Sequence, residues 1–117
     1  MSRSVLDRLK DIVHSAELTA RHAAGLDALA LATADRQRDA ALFRIAVIGE
    51  AAAHLPAEVQ ALAPEIPWSR VKDMRHHLVP AYWQVDFVIV AQTITQDLDP
   101  LKTAAKRLIE FVERSER

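Results

Sequence analysis

Residues 39–54 constrain this chain more than any other stretch. Between Asp39 and His54 only Arg44 and Glu50 are charged, and Leu42, Phe43, Ile45, Val47, Ile48 and a run of alanines fill the rest. A helix with almost no polar face must be covered on most sides, at the centre of a bundle or across a subunit interface. Gly49, in its midst, costs about 1 kcal/mol relative to Ala in a helix interior. Close approach of a second helix at that point would offset the cost.

Composition agrees with a helical chain. Only 5% of the residues are aromatic and 2 are Gly, against an abundance of Ala, Leu and Val, which favours helix over sheet. A length of 117 residues suits one domain, 1–117, with one core. The chain contains 0 Cys, so disulfides and thiolate metal sites are excluded together. No apolar run approaches the roughly 20 residues needed to span a bilayer, and the start lacks the apolar core of a signal peptide. The expectation is a cytoplasmic protein with no membrane segment.

Helical spacing recurs along the chain. Val5, Leu9, Ile12, Val13 and Ala16 form one stripe, with Ser4 and Asp7 spaced as a capping box. Gly25 can end this helix after about Ala24; the connection from Leu31 to Asp35 is ambiguous. Pro56 stops the apolar segment, and one short helical turn is expected at 57–62 between Pro56 and Pro64. A third helix begins near Trp68, behind Pro67, and ends at 77–79, because Pro80 biases Val79 away from helical backbone. A fourth covers roughly 83–97. Asp99 and Pro100 then read as the cap and first residue of a fifth, whose stripe is Leu101, Ala104, Ala105, Leu108, Ile109 and Val112. The predicted fold class is all-α, an up-and-down bundle of four to five helices.

Chemistry concentrates at 68–86, where Arg75, His76, His77 and Tyr82 lie between two apolar patterns. The net charge of −1 argues against a protein that coats nucleic acid through charge alone. Locally, Arg70, Lys72 and Arg75 face only Asp73, which predicts a small cationic spot that a dimer would present twice. His14, His22 and His54 are too scattered for a metal site, so no metal and no cofactor is expected.

Ile48, Gly49, Glu50 and Ala51, then Leu55 and Pro56, then Pro64 to Trp68, then Met74, Arg75, Tyr82, Val85 and Asp86 resemble, in order and spacing, the HepT-like toxins of the HEPN superfamily. The resemblance covers about 39–108. It implies a helical bundle that forms a homodimer, a metal-independent ribonuclease acting on RNA, and a partner antitoxin of the MNT nucleotidyltransferase type. The family motif is an Arg, a polar residue, three residues, a His, one residue and a Tyr. Arg75 fits the Arg, His76 the polar position, and Tyr82 the tyrosine that the antitoxin silences by adding AMP. The catalytic His position falls on Pro80.

That departure matters chemically. Cleavage of RNA by its own 2′-hydroxyl needs a base, an acid and a cation for the charge that builds on phosphate. Arg supplies the cation with a planar fork that holds two phosphate oxygens. His suits proton transfer near neutral pH, whereas Pro has no titratable group. The resemblance therefore implies an impaired enzyme.

His77 and Glu50 are possible supporting residues. Adjacent helical residues point about 100° apart, so at most one of His76 and His77 faces a common cleft. Glu50 reads more simply as a structural partner of Arg44 or Arg75, whereas a solvated or salt-bridged Arg75 and a packing Tyr82 are plainer alternatives that weigh less once the resemblance is counted. The alternative reading of the whole chain is a non-catalytic helical protein that retains dimerisation and nucleotidyltransferase binding.

Overall fold

A computed structural model describes residues 3–75 and 86–116. Among these residues every regular element is helical. Helix α1 (Val5–His22) starts on a complete capping box. The Ser4 hydroxyl accepts from the Asp7 amide, and the Asp7 carboxylate accepts in return from the Ser4 amide, which satisfies two of the orphan donors of the first turn. Its C-terminal cap is Ala23, and Gly25 turns the chain at φ 75, backbone that favours glycine.

The ambiguous connection contains α2 (Ala28–Thr33), capped by the Asp27 carboxylate on the Ala30 amide at 2.8 Å. Only Ala34 separates it from α3 (Asp35–Ala53). The apolar segment therefore begins four residues earlier than its composition indicates, because the charged first turn joins the same helix.

Helix α3 is central. Its Leu42, Ile45, Ile48 and Ala52 enter a core shared with Leu9, Ile12 and Ala16 of α1. Leu101, Ala104, Ala105 and Leu108 complete that core from the C-terminal helix. Helix α1 packs along both α3 and the C-terminal helix, and α3 also packs against the later helix that begins at Trp68.

The connection between α3 and that later helix is short and pinned. Pro56 precedes α4 (Ala57–Gln60), and Ala63 and Ile66 turn into the core. The Gln60 side chain donates to the carbonyls of Ala52 and Leu55, both at 3.2 Å. The indole of Trp68 donates to those of Gln60 at 3.0 Å and Ala63 at 3.1 Å. Trp68 thus fastens the start of α5 (Trp68–Asp73). Regular α-helix ends at Asp73, and Met74 and Arg75 form a tighter 3₁₀ turn; the expected end at 77–79 lies outside the described residues.

After residue 86 the structure departs from the sequence expectation. Helix α6 (Phe87–Gln92) opens on Asp86, whose carboxylate accepts from the Val88 and Ile89 amides. It runs through a π-helical turn (Thr93–Asp97) directly into α7 (Leu98–Ser115). Asp99 is not a cap, and Pro100 lies inside continuous helix. Proline lacks the donor and crowds the carbonyl four residues back. The wide turn just before it, where the Leu98 amide reaches the Thr93 carbonyl five residues earlier, gives the ring room.

Candidate functional site

Arg75 stands at the C-terminal end of α5 and is exposed, whereas Met74 beside it is buried. What holds this end of α5 is the bare backbone of Gly49. A Cβ at that position would collide with the Arg75 amide nitrogen and would lie 3.0 Å from both the Lys72 carbonyl oxygen and the Met74 carbonyl carbon. The close approach expected at Gly49 is present, and it falls on the peptide group that leads into Arg75.

The side chain of Arg75 has no carboxylate partner among the described residues, unlike Arg3 with Asp11, Arg107 with Glu65 and Arg114 with Glu110. An exposed guanidinium left un-neutralised is available to a phosphate. Arg70 is different. It donates to Asp97 at 3.0 Å across to the π-helical turn, so the cationic spot read from Arg70, Lys72 and Arg75 is reduced to Lys72, itself half-buried, and Arg75. A groove of about 230 Å³ runs between α5 and α6, lined by Arg70, Asp73, Met74, Ile89, Thr93 and Asp97.

Glu50 is not a buried charge. Its side chain is exposed and pairs with His54 one turn on, Nδ1 to carboxylate at 3.3 Å, with the same nitrogen 2.9 Å from the Glu50 carbonyl. The expected partnership with Arg44 is absent: Arg44 lies over the ring of Phe43, 5.4 Å from its centroid. Among the described residues Arg75 does not supply it either. The physical reason is direction, since position 50 points out of the bundle while Gly49 points at α5. His76, His77, Pro80 and Tyr82 lie outside the described residues. Among those described, no three His, Asp or Glu gather in a way that could hold a metal ion, and no helix is long and apolar enough to cross a membrane.

Sequence reasoning missed Arg38. Only 4% of it is exposed. It is paired to Asp35 at 3.1 Å and Asp39 at 3.0 Å, bonded to the Ala32 carbonyl at 3.2 Å, and placed over the Phe87 ring at 5.7 Å. The flanking Asp35 and Asp39 were a visible hint, but the aromatic partner is remote in sequence. Arg38 ties α3 to the first residue of α6. The eleven steps from Arg38 to Gly49 rise about 16 Å along the helix. Helix α3 therefore braces the chain on both sides of 76–85, at Arg75 through Gly49 and at Phe87 through Arg38.

Comparison with known proteins identifies the family. The family described as "Ribonuclease HepT-like" matches residues 6–108. The chain is 34% identical over 112 residues to the "Probable ribonuclease HepT" of Thermococcus cleftensis, covering 92% of this chain and 98% of that protein. It is 28% identical over 115 residues to a Methanocaldococcus jannaschii protein named as a gamma-glutamylcyclotransferase and candidate RNase, covering 98% of this chain but 52% of that one. A candidate RNase of Caldanaerobacter subterraneus is 30% identical over 64 residues, 55% of this chain and 57% of its own length. No solved structure gives a significant match. With a family match that runs from the second residue of α1 to the last buried leucine of α7, and a relative matched over nearly its whole length, the chain belongs to the HepT-like ribonuclease family.

Proposed function

We propose that this chain is the toxin subunit of a toxin–antitoxin pair, a metal-independent RNA endonuclease that works as a homodimer. In this reading its cognate MNT-type nucleotidyltransferase silences it by adding AMP to Tyr82. The observation that carries the proposal is Arg75, an exposed guanidinium without a carboxylate partner among the described residues, held at the end of α5. Two such ends brought together by a twofold axis would supply two cations to one phosphodiester. An apolar strip on the outer side of α3, Phe43 at 49% exposure with half-buried Ala40 and Val47 beside it, supports such pairing.

In the reaction the 2′-oxygen of RNA attacks phosphorus and the 5′-oxygen leaves. A base takes the 2′-hydroxyl proton, an acid returns one to the leaving oxygen, and Arg75 meets the charge on the non-bridging oxygens. His76 is the polar companion of Arg75. Pro80, where the family has its His, can neither accept nor donate a proton, so the chain is impaired as written.

Restoring the missing group tests this. General acid–base catalysis contributes on the order of 10²–10⁴-fold, so Pro80→His is expected to raise RNA cleavage by at least about 10²-fold and to inhibit growth on expression. Arg75→Ala on that background should abolish both effects. A Pro80→His chain that neither cleaves RNA nor slows growth removes the proposal. Pro80 itself favours a second reading, a non-catalytic module that keeps the dimer and the nucleotidyltransferase surface. In that case Arg75→Ala leaves any RNA affinity unchanged.

A further inference from the structure

We propose that Gly49 is the positioning residue for Arg75: its missing side chain sets where the guanidinium stands relative to the scissile phosphate. The inference rests on the reading of Arg75 as the phosphate-gripping cation.

Helix α3 is rich in alanine, with Ala40, Ala41, Ala46, Ala51, Ala52 and Ala53, and alanine is the better helix former. At position 49 a methyl group would meet backbone from another element. All three atoms it would meet belong to α5 and the turn after it, and none is the movable end of a side chain. Two of them, the Met74 carbonyl carbon and the Arg75 amide nitrogen, are joined by one peptide bond, and that nitrogen is bonded to the Arg75 Cα. An ordinary van der Waals contact begins at 3.4 Å, so a methyl group at 49 drives this peptide outward and Arg75 moves with it. Val71 and Met74 are buried in the core and Trp68 pins the start of α5. The helix cannot slide away as a whole, and the displacement concentrates at its C-terminal end. Misplacing a catalytic group by about 1 Å can cost on the order of 10²-fold in rate.

The other face of position 49 follows from the same geometry. Glu50, the next residue, points to solvent and pairs with His54, so it does not share the contact with α5. Positioning is a property of one backbone atom set, and its signature is dependence on Arg75.

RNA affinity is measured by fluorescence anisotropy with a labelled single-stranded RNA oligonucleotide for the unaltered chain, Gly49→Ala, Arg75→Ala and the double variant. Cleavage is followed for the same set on a Pro80→His background, and helicity and melting are recorded throughout. Ile12→Val, in the core face of α1, serves as a control for modest loss of stability. Gly49→Ala is expected to stay helical, to weaken RNA binding severalfold, and to lower cleavage by up to about 10²-fold. It should have no further effect once Arg75 is Ala, because coupled residues are non-additive. Ile12→Val should lose none of the binding. If Gly49→Ala loses helicity, Met74→Leu, which disturbs the same peptide from its buried side at nearly constant volume, takes its place with the same expected dependence on Arg75. A folded Gly49→Ala that binds and cleaves normally, or one whose loss persists undiminished in the Arg75→Ala chain, overturns the positioning role and leaves the function of Arg75 intact. An Arg75→Ala chain with unchanged binding and cleavage overturns the functional reading, and the positioning role with it.

Discussion

Trp68 offers the sharpest test of how the start of α5 is fixed. Its indole is 8% exposed and its N–H is shared between the Gln60 and Ala63 carbonyls at 3.0 and 3.1 Å. Both acceptors have a second donor, since the Ala63 amide reaches Gln60 at 3.0 Å and the Ile66 amide reaches Ala63 at 3.1 Å. Trp68→Phe therefore strands no carbonyl. It forfeits the net value of a hydrogen bond, about 1 kcal/mol, and leaves a small cavity worth roughly another 1 kcal/mol at about 24 cal/mol per Å³. Trp68→Ala empties the site and is expected to cost 3–5 kcal/mol, the usual range for deleting a large aromatic. At roughly 4 °C per kcal/mol for a domain of this size, the melting temperature should fall by about 8 °C for Phe and by about 16 °C for Ala. Melting is followed by circular dichroism at one fixed protein concentration, because association shifts apparent stability. RNA affinity of Trp68→Phe should match the unaltered chain below its transition. A Phe variant as unstable as the Ala variant would show that the carbonyls depend on the indole, and the reasoning about shared acceptors would be wrong.

Two further predictions concern charge. Arg107 donates to the Glu65 carboxylate at 2.8 and 3.0 Å and, with a backbone hydrogen bond, holds its pKa below the ordinary value of 4.5. A carboxyl depressed on folding contributes stability above its unfolded pKa and loses it as pH falls through the folded one. Glu65→Gln should therefore remove a small contribution at neutral pH and, by the same amount, flatten the decline of stability below about pH 4.5; urea denaturation at pH 3 to 7 checks this, and parallel curves for both proteins refute it. For Arg38, Lys keeps the charge but not the planar fork. Arg38→Lys should fail to restore what Arg38→Met loses, on the order of 2 kcal/mol by chemical denaturation, and full recovery with Lys would mean that charge alone is what α3 uses to hold Phe87.

What could be read from the sequence is what depends on neighbours along the chain. The Ser4 and Asp7 capping box, the turn at Gly25, the Pro67 entry to α5 and the need for close approach at Gly49 all follow from local backbone chemistry. The break expected at Asp99 and Pro100 failed for an instructive reason. Sequence shows the strain that proline introduces, but a helix can absorb it through a wide turn when its flanking faces, Val90 on one side and Leu98 and Leu101 on the other, are already committed to the same core.

Charge partners were the least legible feature. Glu50 was assigned to arginines near it in sequence or motif, yet it pairs with His54; Arg70 looked like part of a cationic spot, yet Asp97, 27 residues on, takes it. Such pairs cross between elements, and their geometry exists only after packing. The same distinction separates the two braces of α3. That Gly49 must touch something could be inferred from its cost in a helix, whereas Arg38 looks like an ordinary surface charge until the fold buries it against Phe87. On the proposed reading of Arg75, two signals coincide there. One is a guanidinium with no carboxylate partner among the described residues, and the other is a backbone contact, made possible by Gly49, at the end of its helix.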